Sequence, residues 1–298
     1  MNKKVLLGMS GGVDSSVSAI LLQKQGYEVI GATMQLYDKS KKMNCSKEEK
    51  SEEAQNEQID ADDSSITDAK KVCEKLGIEH HVIDLREEFQ KRVINHFICS
   101  YACAKTPNPC VECNKYMKFQ AFYKIAQELG CDYIATGHYA KIEYSEQYKQ
   151  YVLTKSKAEK KDQTYFLYGI NKEILPHILF PLAEFTDKEE IRKIAEENGF
   201  EVAKKKDSQE VCFIPDNDYV SFLERNKGRV QGCVYNNLNN ADKQGLAKKN
   251  NEETKNSVAN KKIQSNQKGK IVLTSGEVLG EHNGLIYYTI GQRRGLGI

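Results

Sequence analysis

The chain lacks any apolar run approaching the ~20 residues of a membrane-spanning helix, and its start shows no basic-then-apolar leader pattern. These two absences predict a cytoplasmic protein with no membrane partner. An excess of one charge is missing as well, 44 Lys and Arg against 42 Asp and Glu leaving a net charge of +2. Such a balance neither argues for nucleic acid nor excludes it, because acidic runs average away a local basic face. A second C-x-x-C is also absent. Nine cysteines in a reducing compartment point to chemistry or metal before structural disulfides. Yet Cys110 and Cys113 are the lone pair at that spacing, and a zinc ribbon needs another pair or two histidines. Cys212 is the one further cysteine in a comparable polar, loop-like setting, and three thiolates do not close a four-cysteine site. Cys73 and Cys99 fall within helical patterns, and Cys103 and Cys131 at or beside helix ends, where packing as small buried hydrophobes is expected. Cys45 and Cys233, in or near polar tracts, carry no assigned role.

What the chain does have stands near its start. Lys3 to Met9, with Val5-Leu6-Leu7 at its centre, is short, apolar and branched, as a buried parallel strand should be, and Val17, Ile20 and Leu21 then recur at helical spacing. Between them lies Ser10-Gly11-Gly12-Val13-Asp14-Ser15-Ser16. The two glycines let the backbone pass close to a ligand, Ser10, Ser15 and Ser16 add hydroxyl donors, and the N–H groups of the new helix point into the turn. An anion fits there, a phosphate above all. The Gly-Lys-Ser/Thr ending of a nucleotide P-loop is missing, and Asp14 stands inside the loop instead. In that respect it resembles the PP-loop of the ATP pyrophosphatases, a likeness that implies a held β,γ-pyrophosphate leaving group and transfer of AMP to a substrate oxygen.

The segments that follow predict an α/β fold whose βαβ order gives a parallel sheet with right-handed crossovers. Val29 to Leu36 reads as a second strand, Thr67 as the cap of a helix through Leu76 stopped by Gly77, and His81 to Leu85 as a third strand. Glu87 to Tyr101 is expected to be helical, with Phe89, Val93 and Phe97 on one face. Lys105 to Lys115 should be a rigid loop, since Pro107 and Pro109 fix φ. A helix bearing Phe119, Phe122, Ala126 and Leu129 would start just after it, so that its dipole and Lys115 favour a Cys113 thiolate. Tyr133 to Thr136 is a further strand. Its exit through Gly137-His138-Tyr139-Ala140 should face the same crevice as the serine–glycine loop; on its own His138 reads first as a core histidine, and its place after a strand end puts the functional reading level with that one.

Further on, Tyr151 to Thr154 suggests half a hairpin and Lys161 to Leu167 enters a short helix. Thr186-Asp187-Lys188-Glu189 fits a capping box opening a helix through Asn198, with Gly199 as its stop. Composition then shifts to short β-like pieces, placing a boundary near residue 205 between a catalytic domain of 1–204 and a small β-rich domain of 205–298. Lys270 to Leu273 and Leu285 to Ile290 read as strands of the latter. Two polar tracts, 40–65 and 236–268, hold too few apolar residues to offset their ordering entropy and are expected to be mobile insertions.

A set of motifs recurs in order: the Ser10 to Ser16 loop, Pro107-Asn108-Pro109 with Cys113-Asn114-Lys115, Gly137-His138-Tyr139, and Lys161-Asp162-Gln163. Asp207-Ser208-Gln209-Glu210-Val211-Cys212-Phe213 and Tyr288-Thr289-Ile290-Gly291-Gln292-Arg293-Arg294-Gly295-Leu296 complete it. Together they resemble the bacterial tRNA-specific 2-thiouridylases, over the whole chain apart from the two polar tracts. The resemblance implies an enzyme that uses ATP and Mg²⁺ to convert the wobble uridine of tRNA to 2-thiouridine, releasing AMP and diphosphate. It implies that Gly8, Met9, Ser10, Gly11, Gly12, Val13, Asp14, Ser15, Met34 and the Gly137 backbone bind ATP. Asn108, Pro109 and Cys110 would face the target base, while His138, Lys161, Asp162 and Gln163 would contact tRNA. Cys113 corresponds to the family's nucleophile and Cys212 to its persulfide carrier, charged by a persulfide donor or relay protein and ending as a disulfide with Cys113. The family's C-terminal β-barrel would lie mostly beyond Ile298, so a truncated form is expected. Cys110 departs from the well-known members, which carry there an aspartate proposed as acid/base, a role that a thiol fills less well.

Alternatives remain open at this level. Cys110, Cys113 and Cys212 could instead hold a 4Fe-4S cluster whose open iron carries the sulfur. Another PP-loop AMP-forming ligase or amidotransferase, such as a lysidine or GMP synthetase, would account for Ser10 to Ser16 but leave Cys113 and Cys212 idle. A non-enzymatic RNA-binding or redox module would account for the C-x-x-C alone.

Overall fold

The computed structural model describes residues 3–37, 64–200, 211–214, 218–226 and 267–298. Cys45, Cys233, nearly all of both polar tracts and Asp207 to Glu210 lie outside the described residues. Among the described residues no helix is long and apolar enough to cross a membrane. The chain divides into two compact units, residues 1–92 with 110–209 and residues 93–109 with 210–298. No shift in composition marks 93–109 as belonging with the C-terminal residues.

In chain order, β1 (Lys4–Gly8) runs through the glycine turn into α1 (Val13–Lys24), followed by β2 (Glu28–Gln35), α2 (Ser64–Leu76) and β3 (His80–Asp84). One helical run comprises α3 (Arg86–Phe89), a π turn (Gln90–Ile94) and α4 (Asn95–Ala102). A second comprises α5 (Pro109–Cys113), a π segment (Asn114–Ala121) and α6 (Phe122–Glu128). Next come β4 (Tyr133–Ala135), the hairpin strands β5 (Lys141–Ser145) and β6 (Gln150–Thr154), α7 (Thr164–Leu167), β7 (Ile178–Leu179) and α8 (Lys188–Glu197). Then follow α9 (Tyr219–Arg225), β8 (Gly269–Val272) and β9 (Val278–His282).

The first unit is built on five parallel strands in the order β3-β2-β1-β4-β7. Successive side chains of β1 point to opposite faces. Val5 and Leu7 pack with Val17 of α1, Val72 of α2 and Ile191 of α8, whereas Leu6 packs with Phe119, Phe122 and Leu167 on the other side. Both faces are therefore covered, which is why β1 reads as a continuous apolar run, and each fully buried Leu there stabilises by about 1.5–3 kcal/mol. The chain crosses from one side of β1 to the other between β3 and β4. The carboxyl ends of β1 and β4 thus flank a topological switch point, where α/β sheets open a crevice.

Three local expectations are corrected. Helix α2 starts at Ser64 rather than after a Thr67 cap, because Ile66 already belongs to its buried face. The presumed loop through Lys115 ends at Asn108, since Pro109 begins α5, where a fixed φ and a missing N–H are no handicap. The cap of α8 is Asp187, whose carboxylate accepts from Glu189 N at 3.0 Å, while the Thr186 hydroxyl donates to Glu190. Between β2 and α2 the packing is tight: a Cβ on Gly31 would stand 2.7 Å from Cys73 Sγ. Burial pushes the Cys73 thiol up to about 11, in keeping with a packing role.

The second unit has an aromatic core. Phe97 of α4 meets Phe213 edge-on at 5.4 Å and Phe222 of α9 at 5.9 Å, and Tyr101 stacks on Tyr219 at 5.1 Å. The Tyr101 hydroxyl lies 3.2 Å from Thr289 Oγ1, and Tyr219 OH donates to the Tyr287 carbonyl. Cys99 is disulfide-bonded rather than simply packed. Strand β9 pairs antiparallel with β8, and Leu285 to Ile290, expected as a strand, opens instead with a 3₁₀ turn over Leu285–Tyr287. Val278 and Leu279 of β9 are both exposed, so the alternation that marks a half-buried strand is missing there.

Candidate active site

The glycine turn closes on itself through its own hydroxyls. Ser15 Oγ and Ser16 Oγ each donate to the Gly12 carbonyl at 3.0 Å, and Ser15 Oγ also accepts from Ser10 N at 3.2 Å. Ser15 and Ser16 therefore shape the loop instead of offering donors to a ligand. What remains for a ligand is the backbone. Gly12, the N-cap of α1, places no side chain on the first-turn N–H groups, and such groups with the helix dipole favour an anion. Gly11 adopts φ +66°, and a Cβ there would stand 2.5 Å from the Ser65 carbonyl oxygen, so the turn tolerates only glycine.

Neighbouring strand ends enclose the same turn. Met9 N donates to Ala32 O at 2.7 Å, and the Thr33 hydroxyl donates to Met9 O at 2.8 Å, fixing the exit of β1 to β2. Met34 lies over Gly8, its Cε 3.6 Å from where a Cβ on that glycine would stand. From the β4 side, a Cβ on Gly137 would stand 3.0 Å from both the carbonyl carbon and Cβ of Asp14, and 3.1 Å from Ser15 N. Gly8 to Ser15, Met34 and Gly137 are thus brought together around one turn.

Asp14 would repel a phosphate were its charge not matched. Tyr139 OH donates to Asp14 Oδ1 at 2.9 Å, and Lys188 Nζ donates to Oδ2 at 2.9 Å. The lysine comes from the first turn of α8, 174 residues away in sequence. Sequence reasoning missed it, because Lys188 reads there only as part of a cap. The loop lacks the lysine of a P-loop, and this distant one supplies a cation at the same turn. As a cradle for a polyphosphate, the donor set fits. One carboxylate with both oxygens engaged is a poor cage for a divalent cation, so Mg²⁺ would be held by the nucleotide's own phosphates.

His138 leaves the strand end half-buried, with Nδ1 2.7 Å from Thr136 Oγ1 and its ring between Phe119 at 5.9 Å and Phe180 at 6.1 Å. Burial holds it well below its ordinary value of 6.5, and Lys118 adds to the fall, so the ring is neutral. Gln163 is tied to the next residue twice: its Oε1 accepts from Tyr139 N and its N–H donates to Tyr139 O, both at 2.9 Å. Asp162 accepts from Thr164 Oγ1 at 2.6 Å, leaving its buried Oδ1 without a partner among the described residues, while Lys161 is exposed.

Cys113 ends α5, a full turn inside the helix that Pro109 starts, and it is buried. Burial pushes its thiol up from the ordinary value, with Lys118 opposing and Cys110 adding to the rise. The expected thiolate is corrected accordingly: the helix N-terminus lies at Pro109, and the Lys115 ammonium sits over the Tyr116 ring at 4.8 Å. Asn108 and Pro109 belong to the second unit, as does Cys212, which is exposed on a turn anchored by buried Phe213 and Ile214. Among the described residues, no three or more His, Cys, Asp or Glu side chains gather in a way that could hold a metal ion.

Comparison with known proteins gives the family. The family model described as "tRNA methyl transferase HUP domain" matches residues 3–216, and "tRNA methyl transferase PRC-barrel domain" matches 257–298. The tRNA-specific 2-thiouridylase MnmA of Clostridioides difficile is 44% identical over 303 residues, covering 100% of this chain and 70% of that one. Its namesake from Acetivibrio thermocellus is 44% identical, covering 99% and 70% respectively. A looser likeness, TM-score 0.41 at 15% identity over 84% of this chain and 90% of that one, is to NMN synthetase from Francisella tularensis. Family models that span most of the chain, together with relatives at this identity, place it plainly: the chain belongs to the tRNA-specific 2-thiouridylase family.

Proposed function

We propose that this enzyme replaces the C2 oxygen of the wobble uridine in tRNA with sulfur, using ATP to make that oxygen leave. ATP-dependent tRNA thiolation is the activity of its family. The observation that supports an ATP-dependent route here is the uncapped start of α1 beside an Asp14 whose charge is matched by Lys188. The uridine oxygen is a poor leaving group. Its attack on the α-phosphorus of ATP turns it into an AMP ester and releases diphosphate, with the first-turn N–H groups holding the departing phosphates. Mg²⁺ bound to those phosphates would spread their negative charge. An anticodon-loop base reaches the site at low cost because it is not in a duplex.

Sulfur then has to arrive in reduced form. A donor protein's persulfide passes its outer sulfur to the Cys212 thiolate, leaving the donor thiolate behind. The terminal sulfur of the Cys212 persulfide attacks C2 and AMP departs with the bonding pair. Attack by the Cys113 thiolate on the inner sulfur releases 2-thiouridine and leaves a Cys113–Cys212 disulfide, which an external thiol must reduce. Burial of Cys113 suits the order of events, since a protonated thiol does not compete for the persulfide before substrate binds. Asn108, Pro109 and Cys110 would border the target base, and His138 and Lys161 would meet the RNA. Asp162 and Gln163 would meet it too, with Gln163 also pinning the start of α7 to Tyr139 at the exit of β4.

The test is mass spectrometry of tRNA nucleosides after incubation with ATP, Mg²⁺ and a persulfide donor. Cys113→Ser and Cys212→Ser should each abolish 2-thiouridine while leaving ATP binding intact. Thiolation retained in either variant overturns the two-cysteine route.

A further inference from the structure

Helix α7 and the residue that caps its end expose large aromatic rings. Tyr165 and Tyr168 are 67% and 70% exposed, whereas Leu167 between them is buried. Their spacing puts both rings on one side of the turn, with Tyr165 centred 5.5 Å from Phe166 and 6.2 Å from Tyr168. The segment is held firmly. Asn114 Nδ2, one residue after Cys113, donates to the Phe166 carbonyl at 3.0 Å, and the double bond of Gln163 to Tyr139 fixes its start. Beyond its end, the Lys115 stem lies against Gly169, and Lys115 Nζ and Arg92 Cζ sit 4.8 and 5.0 Å from the Tyr116 ring centroid. Asn114 Oδ1 is buried with no partner among the described residues.

We propose that Tyr165 and Tyr168 form a stacking shelf for the unpaired bases that flank the modified uridine in the anticodon loop. The inference rests on the thiolation reading above. Unpaired RNA bases are recognised by stacking on aromatic rings beside cations, a contact that tolerates any sequence because every base has a π-face. A shelf held in place before RNA arrives avoids the ordering cost a flexible loop would incur. Its attachment to the residue following Cys113 would set the neighbouring bases at a fixed place relative to that thiol. A protein partner would need a broader apolar patch, whereas the Lys115 ammonium over Tyr116 suits a phosphate backbone; Arg92, on the same ring, is already paired with Glu88 at 2.8 Å.

The experiment measures binding of an anticodon stem-loop RNA to the full chain by fluorescence anisotropy, at several salt concentrations. Tyr165→Ala and Tyr168→Ala should each weaken binding roughly five- to 150-fold, with the same loss at every salt concentration. Tyr→Phe should bind as the parent does, and ATP affinity should stay unchanged in all variants. Two outcomes overturn the shelf alone: a double alanine variant that binds as tightly as the parent, or a Phe variant as weak as the Ala one. A parent chain that binds no stem-loop overturns both the shelf and the reading it rests on.

Discussion

Replacing Lys188 with methionine keeps most of the stem and removes the charge. The ammonium stands 2.9 Å from Asp14 Oδ2, with 11% of the lysine and 28% of the aspartate side chain exposed. That burial lies between a surface pair worth at most about 1 kcal/mol and a buried pair whose disruption costs about 3–5 kcal/mol. A loss of about 2 kcal/mol in folding stability is the expected middle. The larger consequence concerns ATP. An unmatched carboxylate about 5 Å from a phosphate charge would repel it by about 3 kcal/mol at an effective dielectric of about 20. Solvent and counterions reduce that by about half, leaving roughly a ten- to thirtyfold rise in the Michaelis constant for ATP. Diphosphate release, titrated with ATP in the presence of tRNA, reads this directly. Asp14→Asn added to Lys188→Met should recover much of the lost affinity, because the repelling charge is then gone. An unchanged Michaelis constant in the single variant, or no recovery in the double, refutes the argument.

Two more outcomes follow from burial. His138 in the fold is held well below 6.5 by desolvation, so the unfolded chain takes up the proton first. Stability is therefore full above pH ~6.5 and declines as pH falls below it, and His138→Gln should flatten part of that slope in urea melts; His80, lowered for the same reason, supplies another part. A variant slope equal to the parent's would contradict the account. Iodoacetamide at pH ~8 should modify Cys110 and Cys212, both exposed, well before buried Cys113 and Cys73. Peptide mass mapping that finds Cys113 labelled as fast as Cys110 would remove the case for a protected thiol.

Much of the fold was legible because its signals are local. Strand, glycine turn and helix around Ser10 to Ser16 each carry their own pattern, and β1 advertises two buried faces by an unbroken apolar run. Pro107 and Pro109 misled because proline marks both loops and the first turn of a helix, and only the second applies to Pro109. That shift of the helix start also reversed the inference about the Cys113 thiol, since dipole and burial act in opposite directions and the cysteine sits past the reach of the first. Strand β9 was missed because backbone pairing, not a buried face, defines it. The match of Asp14 with Lys188 joins residues 174 apart, and no periodicity reports a contact at that distance.

The central claim is that the uridine C2 oxygen ends on AMP. Transfer RNA carrying oxygen-18 at that position, incubated with ATP, Mg²⁺ and a persulfide donor, should yield 2-thiouridine and AMP bearing the heavy oxygen. Label recovered in water or inorganic phosphate, with unlabelled AMP, would contradict it.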